Sequence, residues 1–69
     1  DEFQVSAQRI VGGKHLKLTL ARGARRIDAI RFYSTDITPL KIRAVYHPML
    51  NHYNGVTSVQ LNIEHWEEV

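Results

Sequence analysis

The segment from Gly12 to Leu20 constrains the fold of this chain more than any other part of its sequence. It reads Gly-Gly-Lys-His-Leu-Lys-Leu-Thr-Leu, with a leucine at every second position from Leu16 onward. A period of two is typical of a β-strand with one buried face and one solvated face. The two glycines adopt positive φ angles at little steric cost, so they favour a hairpin turn just before the strand. The segment therefore predicts a turn followed by the second strand of a small antiparallel structure, with its cationic side outward.

At 69 residues the chain is long enough for a single domain, which we expect to span residues 1–69. A domain of this size buries roughly 60% of the surface of its unfolded chain, so its core is small. The sequence contains no cysteine, which excludes disulfides and thiolate metal sites and fits a cytoplasmic protein. No apolar run approaches the roughly 20 residues of a membrane helix, and no signal peptide precedes the first strand, so we expect no membrane partner. Because the chain begins with Asp1 rather than methionine, we expect it to be a fragment of a longer protein.

The charged residues are distributed unevenly along the chain. All 9 lysine and arginine residues lie between Arg9 and Arg43, where only Asp28 and Asp36 oppose them. The other acidic residues lie near the two ends of the sequence. A basic central region favours a polyanionic partner, although the same charges could simply keep a small domain soluble.

Alternating apolar residues and turn residues divide the chain into five predicted strands. In the first strand the alternation slips where Ile10 and Val11 stand side by side, which predicts a bulge or bend there. Pro48 has no amide hydrogen, so the end of the fourth strand is expected at a sheet edge or a bulge. The predicted strands are residues 3–11, 15–21, 26–33, 41–49 and 56–63, and the longer connections between them are residues 22–25, 34–40 and 50–55.

These features predict an all-β protein, a five-stranded antiparallel Greek-key barrel of the OB type with little or no helix. An SH3-like barrel has a similar strand content and a different connection order, and strand patterns alone leave that alternative open. Trp66 is expected to cap an open end of the core, and Tyr46 to lie in the core with its hydroxyl at the rim. The other predicted core residues are Leu16, Leu18, Leu20, Ile30, Ile42, Ala44, Val59, Leu61 and Ile63.

Several blocks of the sequence, in their order and spacing, resemble one known family. The most specific block is the run from Arg9 to Leu18, which contains Gly-Gly-Lys-His-Leu-Lys. With the blocks that follow it, this run resembles the OB domain of RecJ, the bacterial exonuclease that degrades single-stranded DNA from its 5′ end. The resemblance extends over residues 3–66. The further blocks are Asp28-Ala29-Ile30, Asn51 with Gly55, and Ser58-Val59-Gln60-Leu61.

The resemblance implies a division of labour between this chain and the rest of a parent protein. The RecJ active site is a cluster of aspartate and histidine residues that binds divalent metal ions, Mg²⁺ or Mn²⁺, in separate domains. This sequence has no such cluster, so we expect neither enzyme activity nor a cofactor in the fragment itself. The implied partners are single-stranded DNA, the other domains of the parent exonuclease and a single-strand-binding protein.

OB domains bind nucleic acid across the outer face of strands 2 and 3, between the turns that join strands 1–2 and strands 4–5. Lysine and arginine neutralise phosphates there, and exposed aromatic rings stack on bases without reading their sequence. The resemblance therefore implies that the chain binds single-stranded DNA and positions it for the nuclease core. Two alternatives stay open: a protein-interaction module that docks on the core or recruits a single-strand-binding protein, and an RNA-binding domain. The residues implied for DNA binding are Lys14, His15, Lys17, Thr19, Arg31, Tyr33, His52 and Tyr53.

Other polar residues carry weaker signals. Arg22, Arg25 and Arg26 either extend the phosphate path or are ordinary residues of an exposed turn. Asn51 and Gly55 are expected to shape the turn before the fifth strand, because both tolerate left-handed backbone conformations. The 4 histidines are scattered without the carboxylate or thiolate spacing of a metal site, so we interpret them as structural or solvated residues.

Overall fold

The five predicted strands all form, and no helix is present in the described chain. The computed structural model describes the backbone of residues 1–69 and every side chain except that of Tyr53. The connection between the third and fourth strands, residues 32–40, has no regular secondary structure. The strands are β1 (Glu2–Val11), β2 (His15–Arg22), β3 (Arg25–Arg31), β4 (Lys41–Tyr53) and β5 (Val56–Glu68).

The strands close into a barrel in the order β1-β2-β3-β5-β4, with β4 returning to β1. This arrangement confirms the all-β, five-strand barrel and is consistent with an OB-fold. Four of the strand pairings are antiparallel, as predicted for this barrel, and at the fifth β3 and β5 run parallel. That pairing is short, since it joins only Ala29 to Leu61 and Ile30 to Asn62.

The hairpin of β4 and β5 is longer than the sequence predicted. The ladder continues past Pro48 to Tyr53, where a two-residue turn at Asn54 and Gly55 reverses the chain with φ angles of 51° and 77°. Positive φ at both positions is the signature of a tight hairpin turn. Asn51 therefore does not shape the turn as predicted, because it lies in the ladder opposite Ser58. We call residues 49–60 the arm, since β5 pairs with β3 only beyond this segment.

A bulge in β1 lies earlier than predicted and reverses the strand's faces. The register with β2 shifts between Val5 and Ala7, whereas Ile10 and Val11 pair regularly with β2. Before the shift, Val5 points into the core, and after it Ala7 and Arg9 face outward while Gln8 takes the inner side. The bulge is thus the device that turns Arg9 to the outside of the barrel.

The core is built from alternating positions of all five strands. Leu16, Leu20 and Ile42 are fully buried. Two core predictions are wrong: Val59 is 54% exposed because it lies on the arm, and Ile30 is half-buried because it faces outward opposite Lys17. The remaining buried cluster consists of Phe3, Val5, Leu18, Ala29, Ala44, Leu61 and Ile63, with Ile27, Tyr46 and Trp66 packed against it.

The irregular connection between β3 and β4 fills the gap that β4 leaves beside β1. β1 pairs with β4 only through residues 2–4, and beyond them the Val5 N–H donates to the Leu40 carbonyl at 2.8 Å. The Gln8 side chain then holds buried Thr38: its Nε2 donates to the Thr38 carbonyl at 2.9 Å, and its Oε1 accepts from the Thr38 N–H at 2.8 Å. One amide therefore satisfies both backbone groups of a buried loop residue.

Replacing Gln8 by alanine is expected to lower the free energy of unfolding by about 1–3 kcal/mol, because both backbone groups of Thr38 lose their partner. Amide hydrogen exchange at Thr38 should accelerate along with the loss, and chemical denaturation measures its size. The matched control is Gln4→Ala, since Gln4 is exposed on the same strand. Equal losses in the two variants would contradict a specific role for Gln8.

An ion-pair network ties the short β1–β4 seam to β5. The Arg43 guanidinium contacts Glu2 at 3.1 Å and Glu67 at 3.0 Å. The hydrogen bond to Glu2, followed by that to Glu67, raises the pKa of Arg43 above its usual value. All three side chains are about half exposed, so the network orients the seam more than it stabilises it.

Candidate nucleic-acid interface

The outer face of the barrel carries a row of neighbouring side chains that crosses every strand. Arg9 on β1 lies opposite Lys17 on β2, and Lys17 lies opposite Ile30 on β3. The row continues through Asn62 on β5 to His47 on β4. Directly paired residues share one face of a sheet, so the two cations at the start of the row are adjacent.

A shallow cleft of about 430 Å³ surrounds these two cations. Ala7 and Thr19 lie beside them in the cleft, since Ala7 pairs with Thr19 across β1 and β2. Asp28 lies opposite Thr19 and is the acidic residue among the side chains that line the cleft. The cleft therefore presents two positive charges and one negative charge on an open surface that an extended strand can follow.

Three aromatic rings form a cluster at one end of this face. The His15 ring meets the rings of Phe32 and Tyr33 edge to face, with ring centroids 5.2 and 5.0 Å apart. The Nδ1 atom of His15 also accepts a hydrogen bond from the Tyr33 backbone N–H at 3.0 Å. A cross-strand position on β2 therefore fixes the turn that follows β3.

Tyr33 is the most exposed large apolar side chain of the cluster. It is 84% exposed and has a φ angle of 56°, a left-handed conformation that is uncommon for an aromatic residue. Such strain persists only where the surroundings enforce it, and here the bond to His15 contributes to that constraint. The result is an aromatic ring held in solvent, available for stacking.

The structure brings some of the predicted site residues together and separates others. Lys17 and Thr19 lie in the cleft, and Lys14 lies in the exposed turn that leads to His15. The prediction that Arg31 shares their face is wrong. Arg31 pairs with Leu16, which is fully buried, so it belongs to the opposite face of the sheet at the end of β3.

The remaining predicted residues lie on the arm. His52 is exposed, and its Nδ1 lies 2.9 Å from the Thr57 hydroxyl. It lies on the face of the arm that carries Leu50, two residues earlier on β4, rather than in the cleft. The Tyr53 side chain lies outside the described residues, so its prediction stays a prediction.

Arg9 is the cleft residue that sequence reasoning missed. Alternation that continued without a bulge from Phe3 and Val5 would place residue 9 inside the barrel, and the bulge between Val5 and Ala7 instead turns Arg9 outward. A signal was nevertheless available, because a turn at Gly12–Lys14 that joins Val11 to His15 sets Arg9 opposite Lys17. Counting back from the turn identifies the pair.

The described residues do not meet the requirements of a metal site. Among them, no group of three histidine, cysteine, aspartate or glutamate side chains could hold a metal ion. His47 and Glu64 form a single pair at 3.5 Å, and both are about half exposed. Within the described part of the chain there is also no helix with the length and apolarity needed to cross a bilayer.

A closed five-strand barrel with a cationic cleft on its outer face places this chain in the class of OB-type barrels. The family model of the RecJ OB domain matches residues 1–65 of the 69-residue chain. The chain therefore belongs to the RecJ OB domain family, as its sequence blocks indicated. No curated protein and no solved structure matches it.

Proposed function

We propose that this chain is the single-stranded-DNA-binding OB domain of a RecJ-like 5′-to-3′ exonuclease. It holds the DNA strand and guides it toward a metal-dependent nuclease core elsewhere in the parent protein. The divalent metal ions belong to that core, and this chain contributes binding and positioning. Family membership supports the proposal, since RecJ is a nuclease of single strands.

The observation that carries the proposal is the adjacent pair of Arg9 and Lys17 in an open cleft, with Tyr33 held in solvent at the end of the same face. Cations along a strand path neutralise phosphates and release counterions. An exposed aromatic ring stacks on any base whose face is free, which a duplex does not offer. The arrangement therefore favours an unpaired strand without sequence preference.

Charge reversal at the cleft tests the proposal. Lys17→Glu is expected to weaken binding of a fluorescent single-stranded oligonucleotide about tenfold at low salt, because it removes one phosphate contact and adds repulsion. The slope of log affinity against log salt should fall by about 0.7, the contribution of one contact to a single strand. Fluorescence anisotropy over a salt series measures both quantities.

Two variants control this experiment. Lys41→Glu makes the same change in net charge at the start of β4, outside the cleft, and should leave affinity nearly unchanged. Asp28→Asn removes the negative charge from the cleft and should strengthen binding several-fold. Equal affinities for the Lys17 and Lys41 variants at every salt concentration would count against the cleft.

A second candidate function is docking on the other domains of the parent exonuclease. Ile37 and Leu40, both on the connection between β3 and β4, are exposed apolar residues that favour it. Failure of the folded chain to bind any oligonucleotide would support docking over DNA binding. Competition by RNA of the same sequence separates the RNA-binding alternative, since the 2′-hydroxyl distinguishes the two polymers.

A further inference from the structure

The aromatic cluster at the end of the cleft face is held by one histidine side chain. The Tyr33 backbone N–H donates to Nδ1 of His15 at 3.0 Å, although the two residues are 18 positions apart in the chain. The rings of Phe32 and Tyr33 meet the same imidazole edge to face. His15 therefore contacts both the backbone and the rings of the turn that follows β3.

The direction of this hydrogen bond defines the protonation state of His15. A backbone N–H only donates, so Nδ1 accepts and the single proton of the neutral imidazole lies on Nε2. A second proton enters at Nδ1, because that is the basic nitrogen, and both ring nitrogens of the charged form are donors. Protonation of His15 therefore places an N–H against the N–H of Tyr33 and breaks the hydrogen bond.

The backbone of Tyr33 makes the turn sensitive to the loss of that hydrogen bond. Its φ angle of 56° is left-handed, and such conformations of large residues persist only where their surroundings enforce them. The Tyr33 side chain is 84% exposed, so burial against the core does not hold it. We therefore expect Tyr33 to leave this conformation once the His15 Nδ1 atom is protonated.

His15 gains its charge in surroundings that are already cationic. The acidic residue of the cleft, Asp28, lies opposite Thr19, four residues beyond His15 on β2. None of the ion pairs among the described side chains includes His15. A charged imidazole therefore has like charges beside it and no carboxylate partner to hold it in place. The titratable groups around it are Lys14 in the preceding turn, Lys17 on β2, Arg9 on β1 and the Tyr33 phenol, with Arg31 on the opposite face and Asp36 three residues after Tyr33.

We propose that His15 is a positioning residue that makes the placement of the Tyr33 ring depend on pH. The neutral imidazole holds the ring in solvent at the end of the cleft face, and protonation of Nδ1 releases the turn. A released ring stacks less well, because its order has to be restored on binding. The consequence for DNA rests on the proposed function, since that function assigns the Tyr33 ring to base stacking. Stacking should therefore weaken as the pH falls through the range in which histidine side chains titrate, from about pH 8 to about pH 5.

The conformational step is tested without DNA, by NMR titration of the free chain from about pH 8 to about pH 5. The His15 ring resonances show when the imidazole is protonated. As that happens, we expect the nuclear Overhauser effects between the His15 and Tyr33 rings to disappear. The hydrogen-exchange protection factor of the Tyr33 amide should fall by about fivefold or more, because the amide loses its acceptor. The proposal is overturned if His15 becomes protonated while these ring contacts and the amide protection persist.

Two substitutions separate the acceptor of His15 from its ring. His15→Asn places a carbonyl oxygen near the position of Nδ1 and does not titrate, so protection of the Tyr33 amide should persist at both ends of the pH range. His15→Phe keeps a ring beside Tyr33 but has no acceptor, so protection should be low throughout. His65→Asn is the control, since His65 is an exposed histidine that lies opposite Val45 on the far side of the barrel wall, and it should keep the pH dependence of the unmodified chain. Retained pH dependence in a folded His15→Asn variant would overturn the proposal.

The effect on DNA is measured as a ratio of two affinities. Fluorescence anisotropy compares a thymidine oligonucleotide with one of equal length that carries abasic positions, so attraction between charged His15 and phosphates enters both affinities. We expect the ratio to be about fivefold or more larger at about pH 8 than at about pH 5, and to be independent of pH in His15→Asn. A ratio that stays constant in the unmodified chain overturns the link to stacking. A chain that binds neither oligonucleotide contradicts the proposed function, whereas release of Tyr33 in the NMR titration still supports the role of His15.

Discussion

Leu20→Ala is expected to leave much of the chain unfolded at room temperature. The Leu20 side chain is 0% exposed and pairs with Val5 on β1 and Ile27 on β3. Truncating a buried leucine to alanine costs about 2–5 kcal/mol, because the lost contacts leave a cavity that closes only partly. A single core in a chain this short supplies only about 3–5 kcal/mol of stability, so the loss is comparable to the whole.

The chain contains a matched control for this experiment. Leu50→Ala makes the same chemical change on the arm, where the side chain is 65% exposed. Its effect should stay within about 0.5 kcal/mol, the usual range for surface substitutions. Urea denaturation followed by circular dichroism gives both values. Similar losses of unfolding free energy for the two variants would mean that Leu50 is packed in solution. That result would contradict its exposure on the arm.

Tyr33→Asn is expected to weaken oligonucleotide binding by about 5- to 150-fold. The substitution removes the exposed ring, and stacking on one base contributes about 1–3 kcal/mol. Asparagine is the suitable replacement because it tolerates the left-handed backbone, with φ of 56°, better than alanine does. The backbone N–H that donates to His15 is retained, so the turn keeps its anchor.

Two measurements separate stacking from any other effect of this variant. Tyr33→Phe retains the ring and should bind within about twofold of the unmodified chain, because stacking uses the π-face rather than the hydroxyl. An oligonucleotide with abasic positions should bind the two Tyr33 variants nearly equally, since it offers fewer bases to stack. Unchanged affinity of Tyr33→Asn for a normal oligonucleotide would remove Tyr33 from the interface.

The parts of the fold that follow from local pattern were predictable. Alternation of leucines from Leu16 to Leu20 predicted β2 and its inward face, and the glycines before it predicted the turn. Five strands in a small all-β chain predicted a closed barrel, and the family blocks added the OB type. These features are local because a period of two and a tight turn are properties of neighbouring residues.

The parts that depend on packing between distant segments were not predictable from pattern. A bulge can relieve a strand at several positions, and contact with β2 placed it between Val5 and Ala7. The outward position of Arg9 follows from that choice. Arg31 was misassigned for a related reason, since its face is set by pairing with Leu16 rather than by its own neighbours.

The length of the arm depends on the same kind of information. Pro48 and the polar residues after it predicted that β4 ends there. Val59 stands at every second position of β5 together with Leu61 and Ile63, and this period predicted a core position for Val59. Beyond Ala44, whose N–H donates to the Asp1 carbonyl, β4 pairs with β5 alone, so a proline is tolerated at its free edge. The hairpin therefore runs on into solvent and carries Val59 with it.

Pro48 has a further consequence for the behaviour of many copies of this chain in concentrated solution. A fibril grows when strands of successive molecules pair edge to edge. Each molecule must therefore offer two uninterrupted strand edges, one for the neighbour on each side. The missing amide hydrogen at Pro48 interrupts the outer edge of β4, so that of the two edges of the arm only the edge of β5 is uninterrupted. Such a molecule can pair once through its arm and then terminates growth, which protects an exposed hairpin against polymerisation.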